Sequence, residues 1–168
     1  MTLFFSCSGH DSEVEENAIG GFYKIESIHS DTPVDLNGDS QRSEDLMTEI
    51  DYYFTNSIYD MDIRPNYTND TDDKLISIYF PEPYLTFDVP SNPNGSVEYV
   101  KNGIAFRYVL QNGQLELDET ENEFIVINNM ELLGFGSIGA RMSKAYYDFS
   151  TKKWLNLKLE IIYSKKDL

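Results

Sequence analysis

The C-terminal part of the chain alternates between apolar and polar side chains. The apolar positions all have the same parity: Leu155, Leu157, Leu159, Ile161 and Tyr163. The positions between them are polar, namely Asn156, Lys158 and Glu160. Successive side chains of a β-strand point to opposite faces, so this pattern is typical of a strand with one buried face. It also fixes the register, because a shift of one residue would expose every leucine.

Similar period-two segments recur through most of the chain. They are rich in aromatic and β-branched residues and are separated by Gly, Pro and Asn-Gly turn signals. Asn-Gly pairs at 102–103 and 112–113 predict hairpin turns. Pro81 and Pro83 predict a break between two extended segments. The whole pattern predicts about 8–10 strands in an antiparallel all-β meander, which is either closed into a barrel or packed as a sandwich.

One short helix is expected near residues 43–50. Ser43 is a suitable N-cap, and Glu44 and Asp45 are favourable in a first helical turn. The following segment, Tyr52-Tyr53-Phe54, is expected to begin a strand because it is aromatic.

The first residues of the chain predict a location. An apolar run, Leu3-Phe4-Phe5, ends at Ser6 and at Cys7, the only cysteine. This looks like the end of a lipoprotein signal peptide with Cys7 as the acylated residue. A lone cysteine cannot form an internal disulfide, which favours acylation over the alternative of a cytosolic protein with an ordinary thiol. Residues 1–17 are therefore expected to be a truncated signal remnant with a flexible acidic tether, and residues 18–168 a single domain.

Charge limits the partners of this domain. The 168 residues carry a net charge of −16. Phosphate binding needs a positive surface, so the charge argues against nucleic acid as a partner. No later apolar run approaches the roughly 18–20 residues that a transmembrane helix needs. Attachment to a membrane is therefore expected through the lipid on Cys7.

One loop raises the hypothesis of a calcium cofactor. Asp35, Asn37 and Asp39 place oxygen ligands at alternating positions, which is the spacing at the start of an EF-hand calcium loop, and Asp45 is the candidate closing ligand. The alternative is a turn in which these side chains accept backbone hydrogen bonds. No other cofactor is expected. Neither His29 nor Gly136-Ser137-Ile138-Gly139 forms a recognisable catalytic motif, so the chain is not expected to be an enzyme and no catalytic residue is assigned.

Three segments resemble a known family. Residues 21–28 (GFYKIESI), 34–39 (VDLNGD) and 43–46 (SEDL) are similar to the corresponding segments of Bacteroidetes lipocalin-like outer-membrane lipoproteins. With Cys7, the resemblance covers residues 7–50. It implies a lipocalin-like antiparallel β-barrel in an outer-membrane lipoprotein that is periplasmic or exposed on the cell surface.

The sequence and the resemblance together predict a non-catalytic binding protein. A barrel of about eight strands can just enclose one small ligand. The expected partners are therefore the membrane, through Cys7, and a small apolar ligand, a glycan or a protein. The ligand-binding residues are not assigned. The alternative is a structural or interaction subunit of a surface glycan- or nutrient-uptake complex.

Overall fold

The computed structural model describes residues 18–65, 74–86, 95–121, 123–134 and 136–166. Within them, nine strands and two short helices follow one another along the chain. They are β1 (Gly21–Val34), β2 (Ser43–Asp45), α1 (Leu46–Glu49), α2 (Asp51–Asn56), β3 (Met61–Arg64), β4 (Leu75–Thr86), β5 (Ser96–Gln111), β6 (Gln114–Leu117), β7 (Val126–Gly134), β8 (Ser137–Asp148) and β9 (Lys153–Lys165). Neither helix is long and apolar enough to cross a membrane.

Eight of the strands close into an antiparallel barrel. Strands β3 to β9 pair in sequence order, and β1 joins the two ends. Residues 21–23 of β1 pair with β3, and residues 23–30 pair with β9. The short β2 pairs with the distal part of β1. This architecture confirms the predicted lipocalin-like all-β barrel.

The alternation predicted for the last strand is confirmed in β9. Leu157, Leu159, Ile161 and Tyr163 are buried, and the even-numbered residues from Asn156 to Ile162 are exposed. Every strand of the barrel contributes buried side chains of this kind to one core. Three of the largest fully buried side chains are Tyr23, Tyr146 and Tyr163. An eight-stranded barrel is just wide enough for its side chains to fill it, and these tyrosines are among the side chains that do so.

The connection between β1 and β3 covers one end of the barrel. It contains β2, α1 and α2, and it adds five buried apolar side chains to the core: Leu36, Leu46, Ile50, Tyr53 and Phe54. Several hydrogen bonds hold the connection to the barrel at the end where β1 and β8 finish, and two of them are to backbone carbonyl oxygens of the connection. The Phe149 N–H donates to the Asp35 carbonyl oxygen at 2.8 Å, and the Tyr99 hydroxyl donates to the Leu36 carbonyl oxygen at 3.0 Å.

The helical part of this connection is longer than predicted. Helix α1 lies inside the expected range of 43–50, although its N-cap is Asp45, whose carboxylate accepts from the Met47 N–H at 2.9 Å. The strand predicted at Tyr52–Phe54 is wrong, because these residues belong to α2. Tyr53 and Phe54 are both buried, and two adjacent buried side chains fit one face of a helix rather than one face of a strand.

Strand β4 runs through Pro81 and Pro83 without the predicted break. Both prolines are paired with β5, opposite Lys101 and Tyr99. On its other edge, β4 pairs with β3 as far as Ile78, and the Tyr79 N–H donates to the Asp60 carbonyl oxygen at 2.8 Å. Proline lacks an N–H, so it is tolerated where the strand has no partner to receive one, and the described part of β4 has such a free edge beyond Tyr79.

The two Asn-Gly pairs that were predicted to form hairpin turns have different conformations. Asn112 and Gly113 both have positive φ, at 53° and 76°, and form the tight turn predicted between β5 and β6. The turn predicted at Asn102-Gly103 is wrong, since β5 continues through it. The Tyr79 ring lies against Gly103, and a Cβ atom there would lie 2.5 Å from Tyr79 Cδ1. Glycine is therefore needed at 103 for a close contact between strands and not for a turn.

Candidate functional site

The candidate lipidation residue Cys7 lies outside the described residues. The predicted lipidation at Cys7 therefore stays a prediction. The other candidates fall into three regions: the acidic loop after β1, the barrel interior, and the outer face of β8 and β9.

The acidic loop after β1 is held by its own side chains. Asp35 is buried, and its carboxylate accepts from the N–H groups of Gly38 at 2.7 Å and Ser40 at 3.1 Å. Asn37 Oδ1 accepts from the Asp39 N–H at 2.9 Å, and Asp39 Oδ1 accepts from the Gln41 N–H at 2.7 Å. These are the backbone hydrogen bonds expected of the alternative to calcium binding, a turn stabilised by Asp and Asn.

Asp45, the fourth candidate calcium ligand, caps α1 instead of contacting the other three. Within the described ranges, no group of three or more His, Cys, Asp or Glu side chains is arranged to hold a metal ion. The calcium site stays a prediction that binding measurements have to test.

Two more buried carboxylates hold the same loop from the other side. Asp148 Oδ1, at the end of β8, accepts from the Asp35 N–H at 2.9 Å. Glu49 Oε2, at the end of α1, accepts from the Leu36 N–H at 2.9 Å. Three buried acidic side chains, Asp35, Glu49 and Asp148, therefore position the loop by accepting backbone N–H groups.

Glu49 and Asp148 have pKa shifts of opposite sign. Burial raises the pKa of Glu49, and the nearby charges of Asp35 and Asp39 add to the effect, although the Leu36 N–H opposes it. Burial also disfavours ionisation of Asp148. The Thr151 hydroxyl, the Asp35 N–H and the Arg42 guanidinium outweigh that effect and lower the pKa of Asp148. Ionisation of Glu49 therefore destabilises the folded protein, and ionisation of Asp148 stabilises it.

An ion pair lies inside the barrel. Among the described residues, Lys144 is the only basic side chain that is buried, and its side chain is 2% exposed. It points inward from β8, between Met142 and Tyr146. Its ammonium group pairs with Glu82 of β4 and donates to the Phe124 carbonyl oxygen at 3.3 Å. Glu82 is 29% exposed, so its carboxylate is partly hydrated, whereas the ammonium group of Lys144 is shielded from water.

Aromatic rings surround the ammonium group of Lys144. The Nζ atom lies 4.5 Å from the centre of the Phe80 ring and 5.5 Å from that of Tyr146. The Tyr146 hydroxyl donates to the Pro81 carbonyl oxygen at 3.1 Å. Burial lowers the pKa of Lys144, and the hydrogen bond and charge of Glu82 partly offset that effect. A charged amine in such surroundings is attracted to the rings and to one carboxylate, and has lost most of its water.

The barrel wall has fewer paired positions between β6 and β7 than between β8 and β9. Strands β6 and β7 are paired at Gln114 and Glu131, and the connection between them adds a bridge from Glu121 to Val126, whereas β8 and β9 pair over twelve consecutive positions. The β6–β7 connection includes Phe124, whose carbonyl oxygen contacts Lys144 and whose side chain is 39% exposed. Little pairing would have to open for a small molecule to reach the interior here.

A groove with a volume of about 410 Å³ crosses the outside of the barrel. It is lined by the outward side chains of four adjacent strands: His29 and Asp31 on β1, Lys158 and Glu160 on β9, Arg141 and Ser143 on β8, and Asn128 on β7. A second groove of about 200 Å³ continues it past Gly139 and Ile162. Arg141 and Glu160 are paired directly across the strands, with Nε and Oε1 3.4 Å apart.

Neither Lys144 nor the outer groove was predicted from the sequence. The tyrosines of β4 and β5 differ in their surroundings: Tyr108 is buried, Tyr99 packs against the core, Tyr79 lies on the outer face against Gly103, and Tyr84 is exposed. One signal for Lys144 was present, because it shares the parity of Met142 and Tyr146 in a strand whose alternation is regular. A charged residue at an inward position is the informative exception to such a pattern.

The fold and these side chains define a lipocalin-like β-barrel with a partly hydrated ion pair inside and a polar groove outside. Comparison with protein-family models, with curated proteins and with solved structures gave no match.

The opposite pKa shifts of Glu49 and Asp148 can be tested with two isosteric variants. Glu49→Gln keeps an acceptor for the Leu36 N–H and removes a charge that burial disfavours. Because the folded pKa of Glu49 is raised, its favourable contribution is present below the unfolded value of about 4.3 and is lost as the pH rises through the folded pKa. We expect Glu49→Gln to melt at a higher temperature than the wild type at pH 7, and the difference to disappear in acid.

Asp148→Asn is the matched control with the opposite sign. The folded pKa of Asp148 is lowered, so its contribution is present above the unfolded value and is lost as the pH falls through the folded pKa. We expect this variant to be less stable at neutral pH by on the order of 1.5–3 kcal/mol, the range for hydrogen bonds to a charged group. Thermal melting monitored by circular dichroism from pH 3 to pH 8 gives both curves. If the melting temperatures of Glu49→Gln and Asp148→Asn shifted in the same direction at neutral pH, the opposite pKa shifts of the two residues would be contradicted.

The calcium prediction is tested by melting the protein with calcium and with a chelator. A ligand that binds only the folded state stabilises it, by about 2.7 kcal/mol at a hundredfold excess over Kd. A calcium site in this loop predicts a higher melting temperature with calcium and loss of that difference in Asp39→Ala, whereas a turn held only by its own hydrogen bonds predicts no difference. Asp31→Ala, which removes a carboxylate from the outer groove, is the control. Equal melting temperatures at millimolar calcium would rule the site out.

Proposed function

We propose that this protein is a membrane-anchored lipoprotein whose lipocalin-like barrel binds a small, mainly apolar ligand without catalysing a reaction. The lipid is attached to Cys7, and residues 8–17 tether the barrel to the outer membrane on its periplasmic or exposed side. The proposed ligand carries one acidic group, which is recognised inside the barrel by Lys144.

The observation that carries this proposal is the buried ammonium group of Lys144 between Phe80 and Tyr146. A buried ion pair is weak support for stability, because apolar side chains of the same volume commonly stabilise a core as well or better. Recognition of an acidic ligand would account for a buried lysine at this position, which core packing does not require.

The partner of Lys144 suggests how the ligand binds. Glu82 is partly exposed, so its carboxylate can turn into water when another acid takes its place. The carboxylate of a ligand would then accept the hydrogen bond that Glu82 accepts in the free protein. Its apolar part would lie against Phe80, Tyr146 and the partly exposed Phe124, beside the sparsely paired seam between β6 and β7.

Packing limits the size of this ligand. The interior below the ion pair is filled by buried side chains, including Phe106, Met130 and Tyr163. A long ligand would have to displace several of them, and each large core side chain contributes about 2–5 kcal/mol. The site therefore favours a short apolar acid over a bulky or extended one.

A second candidate function is supported by the outer groove. Most of the residues that line it are polar or charged, with both signs of charge present, and the groove is open to solvent along four strands. This is the surface that the barrel would use as an interaction subunit of a surface glycan- or nutrient-uptake complex.

The anchor is tested by labelling. In cells of the native host that express the chain from its own locus, we expect a radiolabelled fatty acid to be incorporated into the protein and the protein to sediment with membranes. Cys7→Ala should lose the label and the sedimentation together, because no thiol is left to acylate. Ser8→Ala, at the neighbouring position, is the control and should keep both. A wild-type protein without label, or a labelled Cys7→Ala variant, would refute the anchor.

The interior site is tested with two probes of the same length, octanoate and 1-octanol, by titration calorimetry. We expect octanoate to bind more tightly. Lys144→Met should weaken the binding of octanoate at least about tenfold, equivalent to about 1.4 kcal/mol, and leave the affinity for octanol unchanged. Glu82→Gln should raise the affinity for octanoate, because it removes the carboxylate that competes for Lys144.

Lys101→Met is the matched control for this titration. Lys101 is exposed and stacks on Tyr59 and Tyr79 outside the barrel, so its loss should leave both probes unaffected. Melting curves of each variant show whether it is folded. No binding of octanoate, or equal binding to the wild type and Lys144→Met, would refute the interior site.

A further inference from the structure

The outward side chains of β8 and β9 form a continuous strip along the barrel, called here the β8–β9 strip. Its residues face each other in five cross-strand pairs: Gly139 with Ile162, Arg141 with Glu160, Ser143 with Lys158, Ala145 with Asn156, and Tyr147 with Trp154. Three of the five side chains on β8 are small, namely those of Gly139, Ser143 and Ala145. The strip is therefore low along β8, and the two grooves described above lie over its part between residues 139–143 and 158–162. Trp154 and Asn156 lie beyond the grooves, toward the other end of the strip.

One end of the strip is aromatic. Trp154 is 54% exposed, and the Tyr147 ring supports it at 5.8 Å between ring centres with the planes inclined by 70°. Phe149 packs against Tyr147 in turn, at 5.1 Å between ring centres. One ring therefore supports the indole directly, a second ring packs against the first, and about half of the indole surface is open to solvent. An exposed tryptophan with such support is a preorganised apolar platform, since little freedom is lost when a ligand stacks on it.

The rest of the strip is polar and close to electrically balanced. From Trp154 it continues to Asn156, Lys158 and Glu160, with His29 and Asp31 of β1 along its edge. Amide, carboxylate and guanidinium groups are planar and can each bind two neighbouring hydroxyl groups. Strands rise about 3.3 Å per residue, so the segment from Trp154 to Glu160 spans about 20 Å.

Charge limits which extended ligand fits. The chain carries −16, so a polyanion would be repelled by the protein as a whole. Within the strip and its β1 edge, Arg141 and Lys158 are offset by Glu160 and Asp31. A ligand that follows this surface therefore needs many hydroxyl groups, apolar faces that can stack on an indole, and no net charge.

We propose that the β8–β9 strip binds a neutral oligosaccharide, with one sugar ring stacked on Trp154 and the following rings hydrogen-bonded along Asn156, Lys158, Arg141 and Glu160. The apolar C–H face of a pyranose matches the indole, and its equatorial hydroxyl groups match the planar polar side chains. This site lies on the outside of the barrel and does not depend on the interior site at Lys144.

Affinity electrophoresis of the full chain tests the proposal. The protein is run in native gels that contain one soluble polysaccharide each: an α-glucan, a β-glucan, a mannan, a xylan, and the acidic polymers polygalacturonate and chondroitin sulfate. We expect at least one neutral polymer to retard the protein and the acidic polymers to leave it unaffected. Trp154→Ala should weaken the retardation at least about tenfold, and Asn156→Ala should weaken it by a smaller factor.

Two control variants show whether the retardation comes from the β8–β9 strip. Tyr52→Ala removes an aromatic ring of 71% exposure from α2, away from the strip, and should leave the retardation unchanged. Lys144→Met, which removes the interior amine, should also leave it unchanged, so failure of one site does not imply failure of the other. The proposal is overturned if no neutral polymer retards the protein, if only the acidic polymers do, or if a folded Trp154→Ala variant is retarded like the wild type.

Discussion

Strand β1 is hydrogen-bonded to β9 along one edge and to β3 along the other, and this double pairing closes the sheet. The pairing with β9 has an irregularity between Ile25 and Ser27, which is the kind of bulge that increases the bend of a strand. Closure removes the free edges that an open meander would expose over most of its length. It also gives every strand one inward and one outward face, so the chemistry of a position in a regular strand follows from its parity.

Closure at eight strands makes the interior and the exterior different kinds of binding surface. The interior is narrow and filled by side chains such as Tyr146 and Tyr163, so it leaves room only for a ligand that replaces something already there. The carboxylate of Glu82 is the group that can be replaced at least cost, because it is the partly hydrated member of the ion pair. The outside has no such limit, and an extended ligand can follow β8 and β9 without disturbing the core.

The sequence predicted the elements whose structure depends on local pattern. Strand β9 and the Asn112-Gly113 turn were predicted correctly, because alternation and positive φ are properties of neighbouring residues. The Asn102-Gly103 turn was wrong, although the dipeptide is the same. The difference lies in Tyr79, 24 positions earlier, whose ring covers Gly103 across the sheet. A contact at that separation is visible only once the strands are in register.

The candidate sites also combine features that depend on local pattern with features that depend on contacts between distant residues. The parity of Lys144 was readable from β8 alone, and so was the outward face of Trp154 on β9. The pairing of Lys144 with Glu82 was not readable, because the two residues are 62 positions apart. Glu82 keeps the inward parity of Ile76, Ile78 and Phe80, although the prolines on either side of it are also buried. Parity places both side chains on inward positions, but β4 and β8 are not neighbours in the sheet, and only the closed barrel brings the carboxylate and the amine together.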